Sequence, residues 1–115
     1  MVNSKQVING VMLFMDNHMI PNAKSENQKI ILRAAKASLR ISPNAIWDAV
    51  KNIGFFNMLG IIEDDHLNLD LAAEIVAEAI GNDAYCYKFH FLGDTHTFFI
   101  SRDDIHTLKN YIERA

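Results

Sequence analysis

Asp64, His66, Asn68 and Asp70 recur at alternate positions in a short acidic stretch, a pattern with which a loop can ligate calcium. An EF-hand loop places oxygen ligands at its odd positions, glycine at the sixth and glutamate at the twelfth. Here histidine takes the third place, Leu69 the sixth and Ile75 the twelfth, so the stretch reads as an acidic turn leading into a helix cap. Transition-metal chemistry would need His or Cys at ligand spacing. His18 and His106 stand singly on helical stretches, and the hairpin pairing set out below sends His90 and His96 to opposite faces. Nucleophilic catalysis has no G-x-S-x-G to rest on, and phosphate chemistry has no glycine-rich loop. Asp103-Asp104 falls in the first turn of a helix, where the dipole favours acids without any catalytic role. No catalytic residue, no metal and no cofactor is therefore expected.

What remains chemically distinctive is the distribution of charge. The net charge of −3 hides a basic segment and an acidic one. From Lys24 to Lys51 six basic residues face two acids, a local net of +4. From Glu63 to Asp83 seven acids occur with no Lys or Arg. Such asymmetry can mark a partner surface. The candidate interaction residues are Lys29, Arg33, Lys36 and Arg40 on the basic side, with Glu63, Asp64, Asp65, Glu74 and Glu78 on the acidic side.

A chain of 115 residues, half of them hydrophobic and 22% charged, has the size and composition of one folded domain, expected to span 1–115. One cysteine, Cys86, excludes an internal disulfide. The apolar run from Val7 to Met15 is broken by Asn9 and Gly10 and lacks a cleavage site, so no signal peptide is read. No apolar run approaches the roughly 18 residues of a membrane span, and a cytoplasmic location is the expectation.

The elements follow from periodicity and capping. The spacing of Val7, Val11, Phe14, Met15 and His18 predicts a first helix started by Asn3 and Gln6 and stopped by Pro21. Ser25 with Gln28 suggests a second capping box, opening a helix whose one side is the basic ridge and whose other side is Ile31, Ala34, Ala35, Ser38 and Ile41. Ser42-Pro43 starts a third helix with serine as cap, bearing Ile46, Ala49, Val50 and Ile53, with Trp47 beside them and Gly54 as a left-handed stop. Residues 55–59 read as a short helical turn, and 60–69 as a small hairpin around the acidic turn. Asp70 should cap a helix over 71–80 that Gly81-Asn82 closes.

Next comes the best-specified part, an aromatic hairpin. Tyr85 to Leu92 and Thr95 to Ile100 both alternate with period two, and Gly93-Asp94 between them suits a two-residue type II′ turn. That turn pairs Leu92 with Thr95, Phe91 with His96, Phe89 with Phe98 and Tyr87 with Ile100. Tyr87, Phe89, Phe91, Phe98 and Ile100 are then expected to be buried. Ser101 to Asp104 forms a capping box for a last helix with the stripe Ile105, Leu108 and Ile112 and with Tyr111 beside it. The fold class expected is α+β, mostly helical, with five helices, a small hairpin and a C-terminal aromatic hairpin followed by a helix.

Helix, helix, helix and short hairpin is also the order of a winged helix, with 42–53 as recognition helix and 61–69 as wing. Leu59-Gly60-Ile61-Ile62 resembles the leucine-glycine-leucine-isoleucine step entering the wing of many repressors. Phosphate contact calls for Lys and Arg, whereas this helix offers only Lys51 with Asp48, and the wing tip carries Glu63, Asp64 and Asp65. A winged-helix DNA-binding regulator is thus the alternative reading, and nucleic acid is not the expected partner.

Two stretches resemble small proteins encoded in phages and prophages of Gram-positive bacteria. Val7-Ile8-Asn9-Gly10-Val11, Asp16-Asn17 and Ile20-Pro21 are similar to their opening, a helix with a Tyr-Ile-Asp-Asn step followed by Ile-Pro. Here Phe14-Met15 stands where tyrosine and isoleucine are usual. Gly93-Asp94-Thr95-His96-Thr97-Phe98 with Ser101-Arg102-Asp103-Asp104-Ile105, Leu108 and Tyr111-Ile112 is similar to their close. The resemblance covers about a third of the chain, leaves 24–84 unmatched, and implies a context without an enzymatic role or a site. The function expected is a small non-enzymatic interaction protein, in assembly or as an accessory factor, contacting a protein partner or itself.

Overall fold

The computed structural model describes residues 1–81, 85–91 (as backbone) and 93–115. Its elements are β1 (Val2–Asn3), α1 (Ser4–Phe14), a π turn (Met15–Met19), α2 (Glu26–Ile41), α3 (Asn44–Lys51) and α4 (Gly54–Met58). There follow β2 (Ile62–Glu63), β3 (His66–Leu67), α5 (Leu69–Ile80), β4 (Tyr85–Phe91), β5 (Asp94–Ile100) and α6 (Arg102–Arg114). The class is α+β and mostly helical. The expected five helices are present, and the short turn after Gly54 makes a sixth.

α1 starts on a complete capping box: the Asn3 side chain accepts from the Gln6 N–H while the Gln6 side chain accepts from the Asn3 N–H. Ser101 and Asp104 do the same for α6. These two helices pack chiefly on each other. Their crossing is close because Gly10 has no side chain: a Cβ there would lie 2.4 Å from the Ile112 Cα. α5 also packs on α6, and α3 on α1. The main core gathers Val7, Ile46, Trp47, Phe56, Ile61, Leu67 and Ile112. A smaller cluster of Ile20, Leu32 and Phe98 holds α2 and β5 to the end of the π turn.

Several local expectations are corrected. Ser25 accepts from the Gln28 N–H, but the Gln28 side chain accepts from Lys24 rather than Ser25, so only half of that box forms. Ser42 closes α2 instead of capping α3, whose cap residue is Pro43 without a side-chain bond. Gly54 opens α4; the left-handed glycine is Gly60 at φ +67°, one turn later. Asn68, not Asp70, caps α5: the helix begins at Leu69, so Asp70 falls in its first turn and the Asn68 side chain accepts from the Leu71 N–H. Along α2 the inward side is Leu32 and Ala35, while Ile41 is 84% exposed.

The acidic hairpin forms as expected, with Glu63 opposite His66 and Asp64 at φ +53° in its turn. Unexpected is β1, which adds to β3 and makes a three-stranded antiparallel sheet of order β1-β3-β2. A two-residue strand gives no periodicity to read. The aromatic hairpin also forms, but two residues out of the expected register: Phe91 pairs with Asp94, Phe89 with His96, Tyr87 with Phe98 and Tyr85 with Ile100. Gly93 has φ +82° and occupies the second loop position instead of the first. An even slip preserves the parity of the pairing, and His90 and His96 are not partners: His90 pairs with Thr95 and His96 with Phe89. Phe98 is buried as expected, and Ile100 is half-buried; the expectation for Tyr87, Phe89 and Phe91 concerns side chains outside those described, as does the closing role of Asn82.

Candidate interaction surfaces

The basic ridge of α2 is real, and its members differ in availability. Lys29 reaches Glu26 one turn earlier (3.5 Å), and Lys36 is held against Asp16 of the π turn. Arg33 and Arg40 are exposed and make no ion pair among the described residues. Together with Asp16, Ile20 and Lys36 they line a shallow depression on that side of the molecule. The ridge is therefore neutralised at two positions and open at two.

The acidic residues divide as well. Glu63, Asp64 and Asp65 crowd the exposed hairpin tip, where the Asp65 carbonyl accepts from the Ser4 N–H (3.1 Å). Glu74 and Glu78 are exposed on α5 and share a surface hollow with Asp70, Arg102, His106 and Lys109. Lys109 bonds Asp70 at 2.9 Å, and this hydrogen bond, with the charges of Asp70 and Glu113, holds its ammonium above the usual lysine range. So α5 finds its counter-charge on α6. The four calcium-like positions have structural employment: Asp64 forms the hairpin turn at φ +53°, His66 lies in β3, Asn68 caps a helix and Asp70 meets Lys109. Among the described residues no three His, Cys, Asp or Glu side chains gather as a metal site. No helix there is long and apolar enough to cross a membrane.

A feature that periodicity did not single out lies at α4. Phe56 is buried, but Ile53, Phe55, Met58 and Leu59 around it are exposed, Met58 to 84% and Phe55 to 53%. A five-residue helix has room to bury one side only, so four more apolar residues within seven positions must meet water. That count was the available signal.

Also unforeseen is the link between the π turn and α6. His18 Nε2 lies 2.7 Å from the Asp104 carboxylate, and its ring stacks on Phe14 with centroids 5.0 Å apart. Burial pushes the Asp104 carboxyl up, but hydrogen bonds from the Ser101 backbone, His18 and the Ser101 hydroxyl outweigh it and leave it below the usual aspartate range. The extra residue of the π turn rotates His18 toward α6; its N–H ladder ends with Ile20 donating to Met15 (2.9 Å). Pairing across 86 residues has no sequence signal.

Beside this link an apolar cleft of about 320 Å³ opens between α1, α2, α3, β5 and α6. Leu32, Ala35 and Leu39 of α2 and Phe98 of β5 form its walls. No protein-family model, no curated protein and no solved structure matches the chain.

Proposed function

We propose that this is a small non-enzymatic interaction protein of the phage or prophage type, acting in the cytoplasm through protein contacts in assembly or as an accessory factor. The observation that carries the reading is the exposed group Ile53, Phe55, Met58 and Leu59 on and around α4. Clustered apolar side chains at a surface mark contact sites, and aromatic anchors supply most of the affinity of such contacts. The open charges of Arg33, Arg40 and the 63–65 tip suit the complementary task, steering an encounter rather than holding it. A photo-crosslinking side chain at position 55 or 58, in cells that make the protein, tests this. The expected result is a discrete protein adduct that vanishes when the neighbouring apolar residue becomes aspartate. Absence of any protein adduct from either position overturns it, and DNA retention at ~50 mM salt with a steep salt dependence would favour the winged-helix reading instead.

A further inference from the structure

We infer that the π turn is a clasp: it ties α2 to α6 through two polar links in series, and its release lets α2 swing out and open the apolar cleft. The inference goes beyond the contact reading above and does not depend on it. Asp16 of the turn holds Lys36 of α2, and His18 of the same turn holds Asp104 in the first turn of α6 (2.7 Å). The Lys36 side chain is only 12% exposed, so its ammonium is poorly solvated once Asp16 is lost. Met15 and Met19, at the two ends of the turn, line the cleft itself.

Little else holds α2. Its principal neighbours among the described residues are α3 and the π turn. Leu32 joins it to Ile20 and Phe98, and Ala35 is its other buried residue. Leu32, Ala35 and Leu39 line the cleft, so an open space of about 320 Å³ runs along the inner side of the helix. A space of that size forfeits the close packing that would otherwise fix the helix to the body. On the outer side Ile30, Arg33, Ala37 and Ile41 are exposed, so no described element backs the helix there. At its end Ser42 leaves the helical region (φ −129°, ψ 69°) ahead of Pro43, which offers a hinge between α2 and α3.

The turn is suited to two states. An i→i+5 turn is rare, looser than an α turn, and frequent at functional positions. Here it closes with Ile20 donating to Met15. Return to the α form removes the rotation that aims His18 at α6, so turn and clasp let go together. The main core keeps its own packing around Trp47, Phe56 and Ile61, and opening is therefore local.

Native-state hydrogen exchange on the full chain tests the inference. In the wild type the α2 amides should exchange as one block, faster than those of α1 and α6. Asp16→Asn and His18→Leu are each expected to speed that block at least ~tenfold, the loss of one charge-assisted hydrogen bond. The second variant is the diagnostic one. His18 bonds α6 and stacks on Phe14 of α1, so an effect of its loss along α2 must pass through the turn. The double variant should bind 1-anilinonaphthalene-8-sulfonate, a probe of exposed apolar surface, while the emission of buried Trp47 stays that of the wild type. If the double variant unfolds, exchange in the two single variants still decides. Exchange of α2 unchanged by His18→Leu overturns the clasp. Wild-type exchange of α2 at the rate of α1 and α6 overturns it equally, because α2 would then open only when the whole chain unfolds.

Discussion

Gly10 shows how much one absent methyl can decide. Alanine is the better helix former by about 1 kcal/mol, so propensity alone recommends the substitution. The Cβ would nonetheless meet the Ile112 backbone at 2.4 Å, and a backbone atom cannot rotate aside. Gly10→Ala should therefore destabilise the protein by about 1–3 kcal/mol, measured by urea denaturation, as overpacking does. Asp104 carries a different lesson. Its carboxylate is held below the ordinary aspartate range by the Ser101 N–H and His18, so the folded state binds its proton less readily than the unfolded state. The stability it contributes is present above the unfolded pKa of about 4 and is lost as pH falls through the lower folded value. Asp104→Asn should accordingly lower stability at pH 7 by about 1–2 kcal/mol, with the gap to wild type closing as pH falls through the folded-state value. Urea midpoints taken across that range check the sign.

At the level of elements, α4 divides its apolar residues between two environments. Phe56 is 6% exposed and sits in the main core, whereas Phe55 beside it stands half in water. Phe56→Ala should cost about 3–5 kcal/mol by leaving a cavity. Phe55→Asp should cost under about 1 kcal/mol, as surface changes do. Thermal melts of the two variants read the difference directly, and the second variant is the one that should lose crosslinked partners. The hairpin of β4 and β5 makes a related point. Alternation specified that two strands pair and which parity they keep, but Gly93 fits either loop position by φ alone. Phe98 packs against Ile20 and Leu32 and lies opposite Tyr87, a pairing that alternation, being the same in both registers, does not select.

For the whole molecule, stability is unevenly distributed. Among the described residues the main core joins β1, α1, α3, α4, β3, α5 and α6 through ten buried residues, while three hold the α2–β5 side. The cleft lies along the boundary between them. Amide hydrogen exchange should be slowest in α1 and α6 and faster in β5 and the first half of α2, since local opening there exposes little apolar surface. Equal protection in both regions would mean that the smaller cluster is coupled to the larger one more tightly than its contacts indicate.

Helix positions, the caps at Asn3 and Ser101, the acidic hairpin and the separation of basic from acidic segments were legible in the sequence. Each depends on residues a few places apart, and local hydrogen bonding and periodicity act over that range. Most of the residues chosen as candidate surface are exposed, yet Lys36 is engaged by Asp16 and α5 is served by Lys109. Those partners lie far along the chain, where only the packed structure brings them together. The β1 strand, the His18–Asp104 contact, the exposure of Ile41 and the apolar cleft were likewise decided by tertiary structure. Periodicity indicates that an apolar side exists. Whether that side is covered depends on which other elements have surface left to cover it.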